Sequence, residues 1–132
     1  KLGLTSDQRN YRIAEMSKTF PEALIEAPEC MAEPLTGIPD KDDRHVLASA
    51  IFGHAQVIVT SNVKDFPLEY LSQFHILCHT ADDFLVHQFH LNPYLVTDKL
   101  DAQAININQM RCDVLSTLKR VAPQFVELVE KF

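Results

Sequence analysis

The stretch Pro39-Asp40-Lys41-Asp42-Asp43-Arg44-His45-Val46-Leu47-Ala48-Ser49-Ala50, followed by Val57-Ile58-Val59-Thr60-Ser61-Asn62-Val63-Lys64-Asp65-Phe66-Pro67, decides how this chain is read. Asp40 is a predicted helix cap, and Asp42 and Asp43 sit in a first turn, where carboxylates favour the free N–H groups and the macrodipole. Val46, Leu47, Ala50 and Ile51 recur at helical spacing, and Gly53 is the expected C-cap. Val57-Ile58-Val59 is apolar on both faces, as a buried parallel strand should be. A helix of this length spans about 18 Å and the strand after it about 13 Å. In such units the two run antiparallel, so the helix start is expected near the end of the strand. That places Asp40, Asp42 and Asp43 close to Asn62 and Asp65, at the edge where open α/β sheets bind ligands. Carboxylates gathered there repel. A hard divalent cation with oxygen ligands would hold them together and could assist phosphodiester hydrolysis. Each aspartate, taken singly, is also an ordinary cap, solvated charge or turn residue.

Outward from this stretch the pattern stays α/β. Thr5-Ser6-Asp7-Gln8 reads as a capping box, opening a helix to about Lys18 that Pro21 stops. Ala23-Leu24-Ile25 is a short apolar run expected as a strand over 23–26. Pro28 to Pro39, with Pro34 and Gly37, is expected as a loop. Further strands are expected at 57–60 and 74–78, joined by a short helix over 67–73, which implies a parallel pair with a right-handed crossover. Helices are expected at about 82–91, 93–105, 109–120 and 123–131, with Pro93 and Pro123 in first turns.

The chain has 132 residues, enough for one domain, with 46% apolar and 23% charged residues and a net charge of −6. The acidity argues against a protein that coats nucleic acid by phosphate neutralisation. It leaves room for a carboxylate site whose cations invert the local charge. No apolar run approaches a membrane span, and Lys1-Leu2-Gly3-Leu4 does not open a signal peptide. Cys30, Cys78 and Cys112 form no CxxC pair and are expected as reduced, intracellular packing residues. His75 and His79 on one strand face would stand about 13 Å apart, too far for one zinc ion. His87 and His90 could share a helix face but lack a third ligand. His45 and Lys64 are read first as surface residues. Phe84, Leu85, Phe89 and Leu91 are expected as core. The last helix, with Phe125, Val126, Leu128, Val129 and Phe132, either packs back on the domain or forms an interface.

The two segments quoted at the outset resemble the second half of a PIN domain, most closely the bacterial branch with the pattern PD-x-DDRHVLA followed by VIVT-x-N-x-KDFP. The resemblance covers about residues 5–90 and is weaker in the helical tail. It implies an α/β fold: a PIN-like parallel sheet flanked by helices, truncated at the N-terminus, with residues 1–90 as the C-terminal portion of the domain and 91–132 as a helical tail. It implies a cytoplasmic ribonuclease using Mg²⁺ or Mn²⁺, of the toxin type that works with an antitoxin protein. Asp43 and Asp65 match the family's acidic positions and would be the catalytic and metal residues. Asp40, Thr60, Asn62 and Lys64 would stand toward the substrate RNA. The family's first strand with its leading Asp, and a helix bearing Glu, have no counterpart and would precede Lys1. On that reading the isolated chain is inactive, and it associates with the missing segment or with a second copy. The rival expectation is a non-catalytic PIN-like module that binds RNA or protein.

Overall fold

Gln56 and Leu77 begin the only strand pairing among the described residues, 5–132 of this computed structural model. Strand β1 (Val57–Val59) pairs in parallel with β2 (Leu77–His79), with Val57 opposite Leu77, Ile58 opposite Cys78 and Val59 opposite His79. The reading of Lys1–Leu4 lies outside the described residues. The chain is α/β and divides into two units, Lys1–Ala55 and Gln56–Phe132.

In the first unit, helix α1 (Ser6–Thr19) carries the expected capping box: the Gln8 N–H donates to Thr5 Oγ1 and the Thr5 N–H to Gln8 Oε1. None of its residues is buried, and Tyr11, Ile13, Met16 and Phe20 are exposed. The expected strand over 23–26 does not form. A 3₁₀ turn spans Pro21–Ala23, and the chain then runs without regular structure to Pro28. Leu24 has extended dihedrals, but a strand needs a ladder partner, and none lies beside it among the described residues. The proline-rich stretch also holds a single helical turn, α2 (Glu29–Ala32), entered from Pro28. Helix α3 (Lys41–Phe52) begins and ends where the sequence predicts, with Asp40 as N-cap and Gly53 as C-cap. A Cβ on Gly53 would stand 3.1 Å from both Ile25 Cγ1 and the Ser49 carbonyl oxygen. The position therefore favours glycine because the Ile25 side chain and the Ser49 carbonyl lie close to it, since its φ of −84° is open to any residue.

In the second unit, β1 leads through a 3₁₀ turn (Val63–Asp65) to helix α4 (Leu68–Leu71) and a second 3₁₀ turn, Ser72–Phe74. His75 then reverses the chain at a φ of 56°. This turn is why β2 begins at Leu77 and not at 74, and why His75 is not on the strand. Phe66, Leu71 and Ile76 are buried with Ile58 and Cys78 around the sheet. Four helices follow: α5 (Ala81–Leu91), α6 (Pro93–Asn106), α7 (Arg111–Leu118) and α8 (Pro123–Lys131). Phe89, Leu100, Ala104, Val114, Leu115, Ala122, Phe125, Val126 and Val129 form their shared core. The last helix therefore packs back on its own unit. Of the apolar stripe on α5, Phe89 is buried and Phe84 and Leu85 are half-buried, but Leu91 is 78% exposed. It is the last residue of its helix, beyond the core face. Only Cys78 packs in the interior. Cys30 and Cys112 are exposed, against the expectation for all three. Burial pushes the Cys78 thiol above its ordinary value, which keeps it protonated and unreactive. No described helix is long and apolar enough to cross a membrane.

The sheet has an open side. The Leu77 N–H donates to the Gln56 carbonyl at 2.9 Å and the Thr60 N–H to the His79 carbonyl at 3.0 Å. In a parallel ladder alternate residues face the partner, so Gln56, Ile58 and Thr60 turn their backbone groups to β2. Those of Val57 and Val59 point to the opposite edge, where no strand lies among the described residues.

Candidate active site

The acidic residues predicted from the sequence fall in two places, one in each unit. In the first, Asp40 Oδ1 accepts the Asp42 N–H at 2.9 Å, and the Asp40 carbonyl accepts the Arg44 N–H at 3.3 Å. Asp40 is thus a working cap, and its engaged oxygen is turned to the helix. Asp43 is half-buried in the same first turn, whereas Asp42 and His45 are exposed. The approach to the helix is fixed by Arg44, whose Nε donates to the Ile38 carbonyl at 3.0 Å, with Ile38 fully buried.

In the second unit, Thr60, Asn62, Lys64 and Asp65 occupy one short loop leaving β1. Thr60 Oγ1 accepts the Asn62 N–H at 3.1 Å, and the Asn62 carbonyl accepts the Asp65 N–H at 3.0 Å. These bonds turn the loop tightly. The buried Phe66, whose N–H donates to the Val63 carbonyl at 3.1 Å, anchors its end. Asp65 is half-buried and held, while Asn62 and Lys64 are exposed. Parallel strands β1 and β2 end side by side, so this loop and the start of α5 emerge together at the carboxyl-terminal edge of the sheet.

The donor chemistry of the loop is that of oxygen: the Asp65 carboxylate, with a hydroxyl on Thr60 and an amide on Asn62. This suits Mg²⁺ or Mn²⁺ and does not suit zinc. Among the described residues no group of three or more His, Cys, Asp or Glu side chains stands ready to hold an ion.

Two features at this edge were not legible in the spacing of the sequence. The imidazoles of His79 and His87 stack, with centroids 4.9 Å apart and planes 27° from parallel. Asp83 forms a capping box with Thr80, accepting its hydroxyl at 2.7 Å. The hydroxyl of Thr80, and then its N–H, hold the Asp83 carboxyl below its ordinary value against the opposing effect of burial, with small contributions from His79 and His87. The separation of Asp83 and His87 by four residues on one helix was the available signal. The placement of His79 against them depends on where β2 ends.

Comparison with known proteins gives a partial match. The chain is 49% identical over 49 residues to the Mycobacterium tuberculosis (strain ATCC 25618 / H37Rv) protein named "Putative ribonuclease VapC50". The matched stretch is 37% of this chain and 29% of that protein. No protein-family model matches the chain, and no solved structure matches it.

Proposed function

We propose that this chain is part of a PIN-type endoribonuclease that uses Mg²⁺ or Mn²⁺ and acts in the cytoplasm as the toxin of a toxin–antitoxin pair. The observation that carries this reading is the identity with a protein named as a ribonuclease. The acidic pattern of the sequence supports it, as does the position of Asp65 in a held loop at the carboxyl-terminal edge of parallel strands, where α/β folds commonly bind ligands.

In this reading Asp43 and Asp65 would hold the cation, with further carboxylates from a segment outside this chain, and the cation would supply an activated water and charge stabilisation for the leaving oxygen of the phosphodiester. The chain's own residues position the RNA. Lys64, exposed beside Asp65, meets a phosphate. Thr60 and Asn62 fix the loop and turn polar groups toward the strand of RNA, and Asp40 presets the first turn that presents Asp43. The water oxygen forms the new P–O bond and gives up its proton to solvent as the ester P–O bond breaks, and the departing oxygen takes a proton from solvent.

The alternative is a PIN-like module that binds RNA or protein without cutting RNA. One assay separates the two. Labelled RNA is incubated with the full-length protein and Mg²⁺ or Mn²⁺, and again with EDTA. Cleavage that requires the cation supports the enzyme. Intact RNA in every lane, with retained binding, supports the module.

A further inference from the structure

We propose that the stacked pair His79–His87 is a platform for one base of single-stranded RNA, set beside the candidate acidic loop. This inference rests on the ribonuclease reading and names how the same site would grip its substrate.

The pair has an inner and an outer member. His79 is half-buried, and its Nδ1 is buried and makes no hydrogen bond. That atom is closed to a ligand, so the pair does not present a hydrogen-bonding edge there. His87 lies over it at 4.9 Å and is exposed. What the pair offers outward is the surface of an imidazole, supported from below by a second ring. Nucleobases in unpaired strands are gripped by such aromatic surfaces, with little dependence on sequence.

Its place in the fold fits that use. His79 is the last residue of β2 and stands opposite Val59, the last residue of β1. The Thr60 N–H donates to the His79 carbonyl at 3.0 Å. The platform and the loop bearing Asn62, Lys64 and Asp65 therefore leave the same sheet edge from adjacent strands. The nearby charge narrows the ligand further. Asp83, one turn before His87, repels phosphate, and its carboxylate is already engaged by Thr80. The part of an RNA that approaches the stack is then an uncharged base face, with its phosphate directed toward Lys64.

The test uses the full-length protein and a short single-stranded RNA carrying 2-aminopurine, with EDTA present so that nothing is cut. Stacking quenches the fluorescent base. The wild type is expected to quench it on binding. His87→Ala is expected to lose the quench and to bind about ten-fold more weakly, the order expected for one stacked base. His87→Phe keeps a ring face and is expected to retain both. Equal binding and quenching by His87→Ala would overturn the platform, as would a loss in His87→Phe as large as that in His87→Ala. If His87→Ala fails to fold, the wild-type quench and the His87→Phe variant decide the matter alone. RNA that the wild type cuts with Mg²⁺, but that binds His87→Ala unchanged, removes the platform and leaves the ribonuclease reading standing. RNA that the wild type neither binds nor cuts removes both.

Discussion

The carboxylate of Asp82, on α5, accepts the N–H of Phe125, on α8, at 2.9 Å. Its other oxygen accepts the backbone and side-chain N–H groups of Gln124 at 3.1 and 3.3 Å. Helix α8 has no cap of its own: its N-cap residue is Ala122 and its first residue is Pro123. A residue more than 40 positions earlier supplies the cap, and it is only 6% exposed. Removing it leaves the buried N–H of Phe125 and the partly buried N–H of Gln124 at a helix N-terminus without their acceptor. Asp82→Ala is expected to destabilise the second unit by about 3 kcal/mol, read from the shift of a urea transition. A change within about 0.5 kcal/mol, the range of ordinary surface substitutions, would mean that water serves these donors equally well.

Asp83, next along the chain, gives a pH signature. Its carboxyl is held below the ordinary value of 3.8, first by the Thr80 hydroxyl. A carboxylate with a lowered folded pKa contributes stability above its unfolded value and loses it as pH falls through the folded one. Thr80→Ala removes a cap worth about 1 kcal/mol. The melting temperatures of wild type and Thr80→Ala are expected to differ clearly at pH 7 and to draw together below pH 3.8. The group is exposed, so solvent screening keeps the pH-dependent part small. A difference that widened in acid would contradict the assignment.

The unpaired side of β1 predicts association. Val57 and Val59 direct their backbone groups to an edge that carries no strand among the described residues. An open apolar edge invites pairing with another chain, and buried unpaired groups cost about 1–3 kcal/mol each. This polypeptide expressed alone is expected to run larger than a monomer in size-exclusion chromatography with light scattering, and to leave RNA intact in Mg²⁺ or Mn²⁺. A compact monomer that cuts RNA would mean that the sheet edge is satisfied by other means and that the catalytic acids lie elsewhere.

Local chemistry explains what the sequence made legible. Thr5, Asp40, Thr80 and Pro123 mark helix ends through their own side chains or rings, and Gly53 through the lack of one, so those boundaries lie within a residue or two of expectation. Val57-Ile58-Val59 had both the composition and the parallel partner of a strand. Leu24-Ile25 had the composition without the partner, which no local pattern reveals. The Asp82 cap and the His79–His87 stack join residues through tertiary packing, which spacing along the chain does not show. For the candidate site, the turn around Asp43 and the loop around Asp65 were each legible.

The central claim is that Asp43 and Asp65 together hold the ion that cuts RNA. It is tested most directly by cleavage of a labelled RNA with Mg²⁺ by the full-length protein, Asp43→Asn, Asp65→Asn and the double variant, beside a melting curve for each. The amide keeps the shape of the side chain and removes the charge that holds the cation. The account predicts that each single variant melts near the wild type and has lost cleavage by at least about a hundred-fold. It also predicts that the double variant is little worse than either, because groups that act as a unit are not additive. Undiminished cleavage by either single variant would contradict it, and would leave that aspartate as a residue that only begins a helix or turns a loop.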